Sequence, residues 1–260
     1  MRSRIALALL LGGCSQVFGL EPPATAVDGS APADTRDVDA PQGCDAHDFD
    51  GDGISDSCDM CPHVAGTNAD SDGDGVGDAC DPRPSMSGDQ RLLWLGFYDP
   101  AAITGWVDPG GTGAWSVSGG MLMELATNSS RLNSPTSYAT DIYFATSLQI
   151  TQPVTNEVGF CAANMPPQYY CCVANDGSMP VVGASTGQVA YFDPFPGSLD
   201  PGKRVDITGT LTGSQFECRF FEAGATTEVL APGGGNAGPV AFYATTPIAY
   251  RYLFVVAIGS

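Results

Sequence analysis

The sequence predicts a mainly β protein in which an irregular acidic segment precedes an antiparallel β-sandwich. Three observations predict it. From Gln90 onward, short stretches rich in threonine, valine, tyrosine and phenylalanine alternate apolar with polar residues, are broken by glycine and proline, and carry no helical period. Between Asp48 and Asp81, two twelve-residue runs repeat aspartate and glycine in one order. Nine cysteines spread over both parts are the number expected of a disulfide set with one odd member. The 29 acidic residues outnumber the 10 basic ones for a net charge of -19, concentrated ahead of the sandwich. Such a surface repels phosphate backbones and anionic headgroups, which excludes nucleic acid as a partner.

The first element is an export signal. Arg2 and Arg4 precede an apolar run from Ile5 to Leu11, and Leu11-Gly12-Gly13-Cys14 closes it. This closing tetrad resembles the lipobox of bacterial lipoproteins. The resemblance implies a signal peptide over 1–13, cleavage before Cys14 and a diacylglycerol on its thiol, so that the protein contacts a membrane through a lipid anchor. It also accounts for the odd cysteine. Ser15, rather than aspartate, follows, which under the sorting rule of many Gram-negative bacteria favours the outer membrane or cell surface. The alternative is an ordinary secretory signal cut after Gly19. Residues 14–43, dominated by alanine, proline, aspartate, glycine and threonine, form the next element, a tether expected to be disordered. No later stretch is long and apolar enough to cross a bilayer as a helix.

The acidic segment carries the chemistry. Asp48, Asp50, Asp52, Asp56 and Asp59 occupy positions 1, 3, 5, 9 and 12 of the first loop, with Gly53 at 6 and the carbonyl of Ile54 at 7. Asp70, Asp72, Asp74, Gly75, Val76, Asp78 and Asp81 repeat the pattern. Alternate spacing turns successive carboxylates toward one centre, and glycine allows the sharp turn that brings in the next carbonyl. Hard oxygen ligands in this number suit Ca2+ over magnesium or the softer metals. Like charges about 4 Å apart repel by roughly 1 kcal/mol in water and about 4 kcal/mol at an effective dielectric near 20, so the loops need a cation to close. The rival is a solvated acidic linker, which has no reason to repeat a glycine, a cysteine and a terminal aspartate in register. Zinc at Cys58-Asp-Met-Cys61 with His63 is a second rival.

Neither loop is flanked by amphipathic helix, so these are not EF-hands. The stretch from Cys44 to Pro82, with its Cys-Asp-Met-Cys-Pro step followed by Asn68 and the second loop, resembles the thrombospondin type 3 repeat. The resemblance implies a calcium-wrapped, disulfide-braced backbone with little apolar core over residues 44–84. It also implies bridges Cys44 with Cys58 and Cys61 with Cys80.

In residues 88–260, strands are expected at 91–97, 114–117, 121–126, 141–150, 157–163, 169–174, 188–192, 204–211, 215–222, 226–230, 240–243 and 250–258, which argue for a two-sheet antiparallel sandwich. The opening Phe97-Tyr98-Asp99, Trp106, Trp115-Ser-Val-Ser-Gly-Gly, and the late Gly238-Pro-Val-Ala-Phe-Tyr and Tyr250-Arg-Tyr-Leu-Phe-Val-Val resemble the laminin-G and concanavalin A-like jelly rolls. That fold implies paired first and last strands with the glycine-led strand beside them. Cys161, Cys171, Cys172 and Cys218 are expected to be bridged. A hairpin turning near Pro166 brings Cys161 opposite Cys171 or Cys172, and Cys218 takes the other.

Both histidines, His47 and His63, precede the sandwich, which therefore has no imidazole for nucleophilic catalysis or a histidine-zinc site. The glucanase string Glu-x-Asp-x-x-Glu is absent, and the isolated acids Glu157, Asp176, Asp193 and Asp206 converge only if tertiary folding brings them together. The expectation is therefore not an enzyme but a calcium-binding, lipid-anchored surface protein presenting a sandwich for adhesion or for recognition of a glycan or cell-surface protein. Trp106, Trp115, Tyr169, Tyr170, Tyr191 and Phe195 are candidates for a sugar-binding face or for core, with Tyr169 and Tyr170 the pair expected at the surface. The alternatives are a secreted glycosidase-like enzyme on the same fold and a purely structural envelope protein.

Overall fold

A computed structural model of the chain describes residues 44–125, 127–138, 141–163, 168–175, 179–186, 189–222, 224–233 and 238–260. The export signal, Cys14 and the tether lie outside the described residues, as do Asp176, Gln188 and the turn at Pro166. Among the described residues, fourteen strands follow the acidic segment: β1 Gln90–Leu95, β2 Trp115–Ser118, β3 Met121–Glu124, β4 Ser130–Tyr138, β5 Ile142–Ile150, β6 Val158–Ala163, β7 Tyr169–Asn175, β8 Pro180–Ser185, β9 Ala190–Pro194, β10 Arg204–Leu211, β11 Gln215–Glu222, β12 Ala225–Pro232, β13 Gly238–Ala244 and β14 Ile248–Ala257. A 3-10 turn at Pro100–Ile103, capped by Asp99, is added between β1 and β2.

The strands build two antiparallel sheets. The first runs β12-β11-β10-β5-β14-β3-β2, and β1 also pairs with β14. One edge of β14 is shared end to end: β3 takes Ile248 to Tyr250 and β1 takes Leu253 to Ala257, on either side of a bulge. The second sheet runs β4-β13-β6-β7-β8-β9. Alternation within each strand makes the core: Val205, Ile207 and Leu211 of β10 and Phe216, Cys218 and Phe220 of β11 point between the sheets, where they meet Phe144, Phe160, Phe242 and Tyr250.

Two strands went unforeseen. Ser130–Tyr138 is polar and contains Pro135, features of a loop, but it is an edge strand, where a missing donor is tolerated. Pro180–Ser185 is short and interrupted by Gly183. The first and last strands do pair, but the glycine-led β13 is not beside them: it lies in the second sheet between β4 and β6 and faces β14 across the core, with Phe242 and Tyr250 ring centroids 4.6 Å apart.

The disulfides also correct an expectation. Cys44–Cys58 and Cys61–Cys80 brace the acidic segment, which rules out zinc at Cys58 and Cys61. Cys171–Cys218 joins β7 to β11 and so ties the two sheets together. Gly209 makes room for this bridge, because a Cβ there would lie 3.0 Å from the Cys171 sulfur and 2.4 Å from the Phe144 ring. Cys161 and Cys172 are free and buried, not bridged. Cys161 stands opposite Tyr170 and Cys172 opposite Gly159, so the two cysteines are diagonal neighbours on the outward side of the hairpin. Diagonal positions are about 7 Å apart, beyond disulfide reach. Burial pushes the Cys161 thiol up to about 12, which makes it an inert packing group.

Candidate functional site

Each acidic loop is held open by its own backbone. Asp48 accepts hydrogen bonds from the amides of Gly51 (2.8 Å) and Gly53 (2.9 Å), Asp52 from Ile54 (2.8 Å), and Asp59 from Cys61 (2.8 Å). The second loop repeats the set: Asp70 from Gly73 and Gly75, Asp74 from Val76, Asp81 from Arg83. Gly53 and Gly75 sit at φ of 94° and 92°, a left-handed turn that a side chain would strain.

These bonds leave oxygens over. Asp50 Oδ2, Asp59 Oδ2, both oxygens of Asp72 and Asp81 Oδ2 are buried with no protein partner. Asp48, Asp50 and Asp52 can bring one oxygen each within 4.8 Å of one another, and so can Asp70, Asp72 and Asp74. Burial, reinforced by the charges of Asp52, Asp59 and Asp48, pushes the Asp50 carboxyl up to about 6. Burial likewise raises Asp59, with Asp52 and Asp56 adding to the shift. A buried carboxylate lacking a donor costs several kcal/mol unless a cation satisfies it, so the residues present fit a hard divalent ion. Asp48, Asp50, Asp52 and Asp59 would hold one such ion, and Asp70, Asp72, Asp74 and Asp81 another. Bound calcium would supply positive charge that closes each loop.

Position 9 has different protein partners in the two loops. Asp56, expected among the ligands, commits Oδ1 to the Phe49 amide (2.8 Å) and Oδ2 to the Tyr98 hydroxyl (2.7 Å) and the Trp94 indole (3.3 Å). Asp78 commits both oxygens to Ser71. Neither belongs to the acidic clusters found among the described residues. Ile54 and Val76 occupy position 7, where their amides donate to Asp52 and Asp74.

A third cluster escaped the motif. Asp74, Asp81 and Asp89 also bring oxygens within 4.8 Å. Asp89 lies past the repeat, just before β1, and no spacing rule connects it to the loops. Burial would raise its pKa, yet the Arg83 guanidinium beside it holds the carboxyl below the usual range. The amides of Gly88 and Asp89 donate to Asp74, and Gly259 donates to Asp89, so the second loop is bonded to both ends of the sandwich.

The acidic segment packs on the outward side of the first sheet. Phe49 sits edge-on to Trp94 and Tyr252, His63 lies against Tyr252 and Phe254, and His47 stacks on Tyr98 with centroids 4.1 Å apart. Phe97, at φ 37°, turns the chain so that its own ring enters the core while Tyr98 reaches Asp56. Burial pushes the His63 imidazole down to about 3, so it packs as a neutral ring.

The thrombospondin type 3 repeat model matches residues 41–68 and 69–82. No curated protein matches the chain. Among solved structures, lectin I of Ulex europaeus, in complex with the methyl glycoside of α-L-fucose, aligns at a TM-score of 0.53 with 9% identity, over 65% of this chain and 98% of that one. A legume lectin-like domain from Entamoeba histolytica aligns at 0.50 with 8% identity, over 62% and 94%. These likenesses establish a lectin-like jelly roll for the sandwich.

Within that jelly roll most of the candidate aromatics are core. Trp106 and Trp115 pack near Phe242, Phe195 and Tyr169 are buried, and Tyr191 leans on the core. Tyr169 is therefore not a surface residue; it points inward to Phe216, and only its neighbour Tyr170 faces out. Among the isolated acids, Asp206 is paired with Arg204 on the first sheet, while Glu157 precedes β6 and Asp193 lies on β9, both in the second. The fold thus places Asp206 and Glu157 on different sheets.

Proposed function

We propose that this is an exported, calcium-organised surface protein in which a lipid-anchored tether carries a thrombospondin type 3-like segment, which presents a lectin-like sandwich for recognition of a glycan or cell-surface protein. One observation carries the reading. The acidic segment is fastened to the outward side of the first sheet through Asp56, Tyr98 and Trp94, so it covers that sheet and leaves the outward side of the second sheet clear of it. The three disulfides among the described residues fit an oxidising compartment outside the cytosol. Calcium acts structurally here, replacing the core that the segment lacks.

The lipid and the ligand are tested separately. Metabolic labelling with a fatty acid marks the wild type and fails in Cys14→Ala; label persisting in that variant rejects the anchor. A screen against glycans and cell-surface proteins, run with calcium and with a chelator, should show retention without turnover. Release of new reducing ends from a glycan would instead establish the glycosidase reading.

A further inference from the structure

The outward side of the second sheet carries a cleft of about 580 Å3, inside the range of roughly 300–1,000 Å3 typical of small-molecule sites. Asn156, Glu157, Asn175, Phe192 and Tyr243 supply its chemistry. We propose that this cleft binds an uncharged pyranoside, with Phe192 and Tyr243 as apolar walls and Glu157 as the acceptor of sugar hydroxyls. The proposal rests on the recognition reading above and gives it a place and a ligand class.

Phe192 is the first argument. The largest phenylalanines of the core are fully buried, but Phe192 is 41% exposed. It stands opposite Gly183, where a Cβ would fall 2.4 Å from its ring, so the ring lies over the bare backbone of β8. A ring held down on a sheet in this way offers a fixed apolar face, the surface that the C–H side of a pyranose covers. Tyr243, on β13, is fixed by the Tyr170 ring at 5.7 Å and the Arg131 guanidinium at 5.2 Å.

Glu157 is the second. Its backbone carbonyl accepts from both the amide (3.2 Å) and the hydroxyl (2.7 Å) of Thr245, and its Oε2 accepts from the Tyr170 hydroxyl at 3.3 Å. The carboxylate is thus positioned by neighbours yet retains acceptor capacity, since an ionised carboxylate takes about four hydrogen bonds. Hydroxyl groups donating to a carboxylate make short, strong bonds. Glu157 is the one charged group among the residues lining the cleft. It repels uronates and other acidic sugars. The acidic clusters among the described residues all fall between Asp48 and Asp89, so the cleft works without them.

The experiment uses the full chain against immobilised neutral gluco-, galacto- and manno-oligosaccharides and their uronate counterparts. Wild type should retain a neutral oligosaccharide and no uronate. Phe192→Ala and Glu157→Gln should each weaken retention by about tenfold, the effect of one lost contact to a charged or stacked group. Phe192 is exposed and the glutamine is isosteric, and far-UV dichroism checks both folds; Asn156→Ala, at an exposed position, serves where either variant misfolds. Retention unchanged in every variant overturns this site but leaves recognition standing. A preference for uronates overturns the ligand class. Wild type retaining no glycan and only a protein overturns the inference, and retaining neither overturns the recognition reading as well.

Discussion

Asp56 and Asp59 belong to one loop, yet the fold surrounds them differently. Asp59 keeps Oδ2 buried and unpartnered beside Asp52, whereas Asp56 has both oxygens taken by Phe49, Trp94 and Tyr98. Spacing alone assigns both as ligands, since a motif counts carboxylates and cannot see which donors arrive from 42 residues away. The two roles separate by calorimetry. Asp52→Ala should weaken calcium binding at least about tenfold, the scale on which metal sites respond to a damaged ligand shell. Asp56→Asn should leave calcium affinity near wild type and lower stability by about 1–3 kcal/mol through the buried donors it abandons. Loss of calcium heat in Asp56→Asn would return that residue to the ligand set. Asp89 shows the converse: it joins an acidic cluster that no pattern in the repeat predicts, because the tertiary fold brings the lead-in to β1 under the second loop.

At the scale of elements, β10 and β11 were legible because each alternates cleanly, one side to the core and one to solvent. β4 and β8 were not, since proline and glycine there obey edge pairing and close approach rather than a turn. β14 holds a different lesson. Its residues from Ile248 to Val256 are buried on nearly every position because the core covers one side and the acidic segment the other, so its apolar run, broken at Arg251, is the mark of a doubly covered strand. The bridge between β7 and β11 is the one covalent tie across the sandwich among the described residues, and it closes a 47-residue separation. Replacing both Cys171 and Cys218 by serine should cost about 4 kcal/mol in the chain-entropy model, seen as a lower denaturant midpoint. A midpoint equal to that of wild type would show that this bridge does not form.

Across the whole molecule the two parts depend on different forces. The sandwich holds itself by a continuous apolar core between its sheets, whereas the acidic segment contributes only Cys61, Val76 and Cys80 as buried apolar groups to its contact with the first sheet. Chelation should therefore expose 44–82 to proteolysis while the fragment beyond β1 stays resistant and keeps its melting transition. Equal resistance of 44–82 with and without chelator would remove calcium from the account of this segment.

By itself the sequence determined whatever is local or periodic: the acidic loops and their glycines, and the alternation that makes a sandwich, while the two bridges that brace the loops were implied by the family resemblance. Those features act over a few residues, where spacing is geometry. Tertiary structure decided which strand lies in which sheet, that Cys171 meets Cys218 while Cys161 stays free, that Asp56 holds the sandwich, and that Glu157, Phe192 and Tyr243 share a cleft. Each of these joins residues distant along the chain, and their meeting depends on how the two sheets pack, which no spacing encodes.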